Sequence, residues 1–312
     1  ILVEDGVYNE EVVVSNGKNS IRIIALRKNA VLDGLNSLGT AFTLQGASGV
    51  EIKGFKIKDY TTAGILINGN TGFPQAALIR LISNRLTNTG IQGILIINSI
   101  ANLLWQNNIE GSANGIEITT VDPGIGRSLA NWIVENKLCN NTSNGIVITS
   151  SDSNGIVRNC VYSNASGIST TDSSNTLIIY NKVSDQSANG LEFTDSPNSV
   201  ILENVIENNQ EDGISKLTSN NGIISENKVL NNNGTGVELS GSAFNIIEQN
   251  KINGNQDSGV VIDAASTNNL VIFNSICNNQ PEDIVRSNPD NDVIFNECEN
   301  SNPPGLCDMC CK

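Results

Sequence analysis

Asparagine recurs at nearly fixed intervals along this chain, at Asn84, Asn107, Asn136, Asn159, Asn181, Asn204, Asn227, Asn250, Asn274 and Asn296, spaced by 23, 29, 23, 22, 23, 23, 23, 24 and 22 residues. A core-type residue stands two places after each. Eight or nine residues after each of the first eight asparagines comes a glycine followed by an aliphatic, as in Gly93-Ile94, Gly115-Ile116, Gly145-Ile146, Gly167-Ile168, Gly190-Leu191, Gly213-Ile214, Gly236-Val237 and Gly259-Val260. A period of this length is the mark of a stacked repeat. The apolar runs inside each period are short and β-rich, such as Ile146-Val147-Ile148 and Leu177-Ile178-Ile179, and none has the length a crossover helix needs. Parallel strands joined only by turns therefore form coils that stack at roughly 4.8 Å. Parallel crossovers favour a right-handed coil.

Stacking gives the asparagines a role: identical side chains in the same turn of successive coils bond one another's amides and the turn backbone. A second column lies five residues earlier, at Asn102, Asn131, Asn154, Asn245, Asn269 and Asn291, with Thr176 and Ser199 substituting. A third is expected four residues later, at Asn88, Asn140, Asn208, Asn231, Asn278 and Asn300. With its aliphatic, Asn, aliphatic, Gly-aliphatic repeat from about Ile21 to Cys298, the chain resembles the right-handed parallel β-helix repeat proteins of pectate-lyase-like fold. The resemblance implies an all-β, right-handed parallel β-helix solenoid of about twelve coils. It leaves chemistry open, because proteins of that fold include polysaccharide lyases, hydrolases, epimerases, tailspikes and surface proteins. The domain plan is one β-helix over residues 1–300 and a Cys-rich tail over 301–312. Because Ile1-Leu2-Val3 is already strand-like and nothing before it closes the first coil, an N-terminal portion is expected to precede it.

A net charge of −14 with 18 basic residues lacks the basic footprint of a nucleic-acid binder. The same sign disfavours acidic polysaccharides unless a divalent cation bridges them. No apolar run reaches the eighteen residues of a membrane span. The chain contains no histidine, which removes imidazole acid–base chemistry and every Ser-His-Asp or Cys-His mechanism. Enzymes of this fold that use Arg or Lys as base, with calcium on stacked carboxylates, survive that test. Asp172 and Asp195, five residues after their coil glycines, are the candidate pair for calcium, with Ser150 and Thr218 flanking them. No other cofactor is expected.

Two insertions break the rhythm. The step from coil glycine to ladder asparagine is usually 14 residues, but it is 20 from Gly64 to Asn84 and 21 from Gly115 to Asn136. The extra residues form loops near Gly69 to Ala77 and Thr119 to Ser128 at the same corner. A cleft between them would carry Phe73, Asp122 and Arg127 as glycan-binding or lyase-like groups.

Among the seven cysteines, Cys298 replaces an inward aliphatic and reads as a small core residue, and Cys139 and Cys160 fall in adjacent coils where a bridge is open. Cys307, Cys310 and Cys311 follow the Pro303-Pro304-Gly305 break. They are expected to form inter-chain disulfides or a local disulfide knot, with a zinc or copper(I) site as the alternative.

The residue three before each ladder asparagine must point inward, so its neighbours point out. Those outward positions read Leu103, Trp105, Trp132, Val134, Leu177, Ile179, Val200, Leu202, Leu270 and Ile272, whereas the second coil has Glu51 and Lys53 there. An apolar stripe this long calls for a partner, such as another copy of the chain. The sequence thus favours an extracellular or surface structural protein that associates laterally and is cross-linked through its tail. The alternative is a polysaccharide-active enzyme or glycan-binding module using the loop cleft.

Overall fold

The computed structural model describes residues 1–27, 29–69, 76–124 and 126–311. Every regular element among them is a β-strand, and the coils number about twelve. Two compact units divide the chain, Ile1–Cys160 and Val161–Lys312. Each is built from three parallel sheets, called here the first, second and third faces. In the first unit the first face runs from Leu2–Val3 through Glu51–Lys53 and Leu103–Trp105 to Gly155–Val157. The second face runs from Gly6–Tyr8 to Lys137–Cys139, and the third from Val12–Val14 to Asn144–Thr149. In the second unit the corresponding faces run from Leu177–Ile179 to Asp292–Ile294, from Lys182–Ser184 to Ser275–Cys277, and from Ser166–Thr171 to Ser301–Asn302.

The expected alternation holds. Ile133, Ile178 and Ile224, in the middle of three-residue first-face strands, are fully buried, as are Ile116, Ile146 and Ile214 beside the coil glycines. The glycines beside Ile116 and Ile214 are packing requirements. A Cβ on Gly213 would stand 2.4 Å from Val229 Cγ1 and 2.7 Å from the Gly236 carbonyl oxygen, so any side chain would push two coils apart.

Where the first face turns into the second, the asparagines form the expected ladder. In the first unit the Nδ2 atoms of Asn84, Asn107 and Asn136 donate to Oδ1 of Asn107, Asn136 and Asn159 at 3.1, 3.0 and 3.1 Å. In the second unit five such bonds of 2.9 to 3.0 Å run from Asn181 to Asn296. The second column is equally real: Asn102, Asn131 and Asn154 are bonded in series, as are Asn245, Asn269 and Asn291.

The third column lies one residue later than expected. Its buried members in the second unit are Asn209, Asn232, Asn255 and Asn279, joined at 2.8 to 2.9 Å. Asn208, Asn231 and Asn278 occupy left-handed turn positions with φ of 58°, 54° and 57° just outside that ladder. Asparagine suits both places, because its short amide tolerates the left-handed region and also stacks. A further ladder is made of serine. The backbone N–H groups of Ser173, Ser196, Ser219 and Ser242 each donate to the hydroxyl of the next serine in the series, ending at Ser266.

Candidate functional site

The second insertion loop is held by Asn98, which stands five residues after Gly93 in the same left-handed turn column that later carries Ser150, Asp172, Asp195 and Thr218. This fully buried side chain donates from Nδ2 to the carbonyls of Asp122 and Gly126, both at 2.7 Å, and accepts at Oδ1 from the N–H groups of Val121 and Asp122. The two charged residues expected to line a cleft take part in the loop's own structure. Asp122 Oδ1 accepts from Gly124 N at 2.9 Å, and Arg127 Nε pairs with Asp152 Oδ2 at 2.8 Å. Phe73 lies outside the described residues.

Asp172 and Asp195 are neighbours as expected, each following the register pair Thr171 and Thr194. Both sit in exposed left-handed turns with φ of 48°, and the Thr218 hydroxyl donates to Asp195 Oδ1. Two carboxylates fall short of the six to eight oxygens that calcium takes, so water or a bound ligand would have to supply the remainder. Among the described residues no group of three acidic, cysteine or histidine side chains gathers as a metal cage.

Two titratable groups stand out that the repeat pattern hides. Asp212, two residues before the third-face strand Ile214–Leu217, is pushed up to about 6 by burial, and the nearby carboxylates of Glu238 and Asp257 push the same way. Its Oδ1 accepts from Thr235 N at 2.7 Å, which favours the charged form and ties the carboxylate to the next turn.

Lys216 is stranger. It occupies an inward position of the strand Ile214–Leu217, in register with Phe193 and Leu239, and is fully buried. Its Nζ donates to Ser199 Oγ at 2.6 Å and lies 4.9 Å from the centroid of the Phe193 ring. Burial pushes its pKa down to about 7. The reason for a lysine here is the gap beside it. The second asparagine column has glycine at Gly222, and a Cβ there would be 2.6 Å from Lys216 Nζ and 2.8 Å from Asn245 Oδ1. The amino group therefore fills the space of a missing ladder side chain. A glycine where its column otherwise carries Asn, Thr or Ser was the legible signal.

The apolar stripe faces outward in both units. In the first, Trp105 and Trp132 are 38% and 43% exposed, flanked by half-buried Leu103 and Val134. The Trp132 ring lies over Gly155, where a Cβ would come within 2.5 Å of it. Trp105 Nε1 and Gln106 Nε2 both donate to Glu135 Oε2 at 2.9 Å, and these bonds hold the Glu135 carboxyl below its usual range. In the second unit Leu177, Ile179, Val200, Leu202, Leu270 and Ile272 are half-buried by one another, with Ile223 and Ile294 more exposed. By contrast Glu51, at the outward position of an early coil, is buried between Arg22 and Arg80, each 2.8 Å from one of its oxygens.

The residues after 300 fold back on the last coil. Cys298 is bonded to Cys307 and Cys277 to Cys311, so Cys298 is more than a core filler, and neither Cys307 nor Cys311 is available for inter-chain bridging. Of the tail cysteines only Cys310 keeps an exposed thiol. Cys139 and Cys160 remain thiols and do not bridge. Neither cysteine pairing is legible in the sequence, because connectivity depends on which Cα atoms the turns bring together.

The sequence profile of the right-handed β-helix region matches residues 63–215, 121–243 and 196–300. The chain belongs to this right-handed β-helix family. Its handedness agrees with the expectation from parallel crossovers. Among solved structures, this β-helix is similar to the periplasmic alginate epimerase AlgG, with 15% identity and a TM-score of 0.58 over 96% of this chain and 76% of that one. It is similar also to PfbA, a surface adhesin of Streptococcus pneumoniae, with 14% identity and a TM-score of 0.64 over 88% and 82% of the two chains. A third such structure is DFA-IIIase from Arthrobacter chlorophenolicus A6 in complex with GF2, at 14% identity and a TM-score of 0.63 over 94% and 87%. Likeness at these identities is likeness of fold, and the three proteins do different things on it. Comparison with curated protein sequences finds no match. No helix among the described residues of this β-helix is long and apolar enough to cross a membrane.

Proposed function

We propose that this β-helix is an extracellular or surface structural protein whose first face binds the first face of a second copy. The carrying observation is the outward apolar stripe, which a solvated sheet face would fill with polar side chains. A second copy suits it because, within each unit, a strip of apolar side chains repeated at the strand spacing is complementary to itself about a two-fold axis. Burial at roughly 25 cal/mol per Å² offsets the entropic cost of docking once an interface reaches ~1,000 Å² or more. Two disulfides and the periplasmic and surface proteins among its structural relatives support an oxidising, exported setting.

Leu177→Glu combined with Ile246→Glu, the latter an outward first-face position in register with Ile223 and Leu270, is expected to convert an associated wild-type chain to a monomer, measured by sedimentation velocity, with unchanged circular dichroism because both side chains point outward. A wild-type chain that stays monomeric at high concentration would overturn the reading. Cross-linking reduces to Cys310: non-reducing electrophoresis should show a covalent dimer that Cys310→Ser abolishes, while the two internal bridges survive. A covalent dimer persisting in that variant would point to exchange of the internal bridges.

A further inference from the structure

Along the corner between the first and second faces, each coil of the second unit puts one residue in the left-handed region just before its ladder asparagine, half-buried at Glu203 and exposed in the other coils. In the last coils these are Glu226, Gln249, Phe273 and Phe295, with φ of 55°, 55°, 56° and 55°. The backbone is strained there whatever the side chain, and a phenylalanine adds a solvation cost. Phe273 and Phe295 are nevertheless 56% and 52% exposed, and their rings stack at 5.5 Å with an interplanar angle of 13°.

Beside them on the second face, Lys228 and Lys251 are register partners, two like charges placed directly opposite. Neither makes an ion pair among the described residues, although Lys182 on the same face is paired with Glu207 and Asp and Glu outnumber Lys and Arg by 32 to 18. Both lysines, with Glu226, Gln249, Phe273 and Ser275, line an open groove of about 630 Å³.

We propose that this groove binds an acidic glycan, a sugar chain bearing carboxylate or sulfate groups. The exposed Phe273 ring offers a flat apolar surface to the C–H face of a sugar ring. The paired ammonium groups of Lys228 and Lys251 take its anionic substituents, and Glu226, Gln249 and Ser275 supply acceptors and donors for hydroxyls. A peptide is the poorer fit, because the groove is open and has no enclosed apolar pocket for a side chain. The protein's overall negative charge works against any anion, so binding is expected to weaken steeply with salt. The groove opens on the second-face side of the corner, and its ligand does not depend on lateral association.

The test is calorimetric titration of the full chain at low ionic strength with a short oligouronate, a sulfated oligosaccharide, a neutral glucose oligomer and oligoglutamate. The uronate or the sulfated sugar should bind and the neutral one should not, and which of the two binds better identifies the anionic group. Lys228→Gln with Lys251→Gln, and separately Phe273→Ala, should each weaken binding about tenfold or more while leaving the melting profile unchanged. The Leu177→Glu, Ile246→Glu variant should bind like the wild type even when it no longer associates, which separates failure of this site from failure of the lateral interface. No binding by either acidic sugar, binding indifferent to the three substitutions, or equal binding of oligoglutamate would overturn the proposal.

Discussion

Asn227→Ala is expected to destabilise the second unit by about 3 kcal/mol, read from urea unfolding and from faster hydrogen exchange in the coils on either side. The side chain donates to the carbonyls of Ile201 and Ser225 at 2.8 and 2.9 Å and to Asn250 Oδ1 at 3.0 Å, and it accepts from the backbone N–H and the side-chain amide of Asn204. Alanine would leave several of these groups buried without partners, and water cannot reach them to compensate. Asn208→Ala provides the contrast. That residue is exposed in a left-handed turn, so its loss should cost about 1 kcal/mol, the backbone preference alone. Equal costs at the two positions would show that the ladder contributes nothing beyond filling space.

Lys216→Met is expected to stabilise the protein near neutral pH, on the order of 2–4 kcal/mol, and to flatten its stability profile at higher pH. The folded-state pKa is lowered from 10.5 to about 7 by burial, so between those values the unfolded chain binds a proton that the folded chain does not. Stability contributed by this group therefore rises with pH from about 7 to about 10.5, at up to about 1.4 kcal/mol per pH unit. Below 7 both states carry the charge, and the folded state bears the full cost of burying it. Thermal melts of wild type and variant across this window should converge at the alkaline end. Placing asparagine at Gly222 in a Lys216→Leu background should restore the interrupted column and stabilise further, since the space now taken by Nζ would hold the amide. A wild-type profile with no alkaline gain would mean that the lysine is hydrated.

The first two asparagine columns were legible because a buried amide ladder demands one residue type at one spacing, and few other constraints imitate it. The third was displaced by one residue because left-handed turns also select asparagine, and Asn231 and Asn232 look alike until burial separates them. Outward and inward positions followed from simple alternation, which is why the stripe from Leu103 to Ile272 was found. The same rule offers no expectation of an inward lysine, and so Lys216 escaped it. Asp122 and Arg127 lie in the longer step from Gly115 to Asn136, yet sequence gives no sign that Asn98 and Asp152 bind that loop.

Within each unit the asparagine-to-asparagine bonds of the main column all run one way, each side-chain amide donating to the asparagine of the following coil and accepting from that of the preceding one. A column is thus a row of dipoles laid head to tail, and a coil is recognised only by what it offers at its two faces. Coils of this kind are interchangeable parts. Removing one whole period, such as residues 204–226, would bring Asn181 against Asn227 with donor facing acceptor as before, whereas removing half a period would set turn against strand. Changes in length are therefore confined to whole coils or to corner loops, and the chain can be shortened or extended without redesigning the coils that remain.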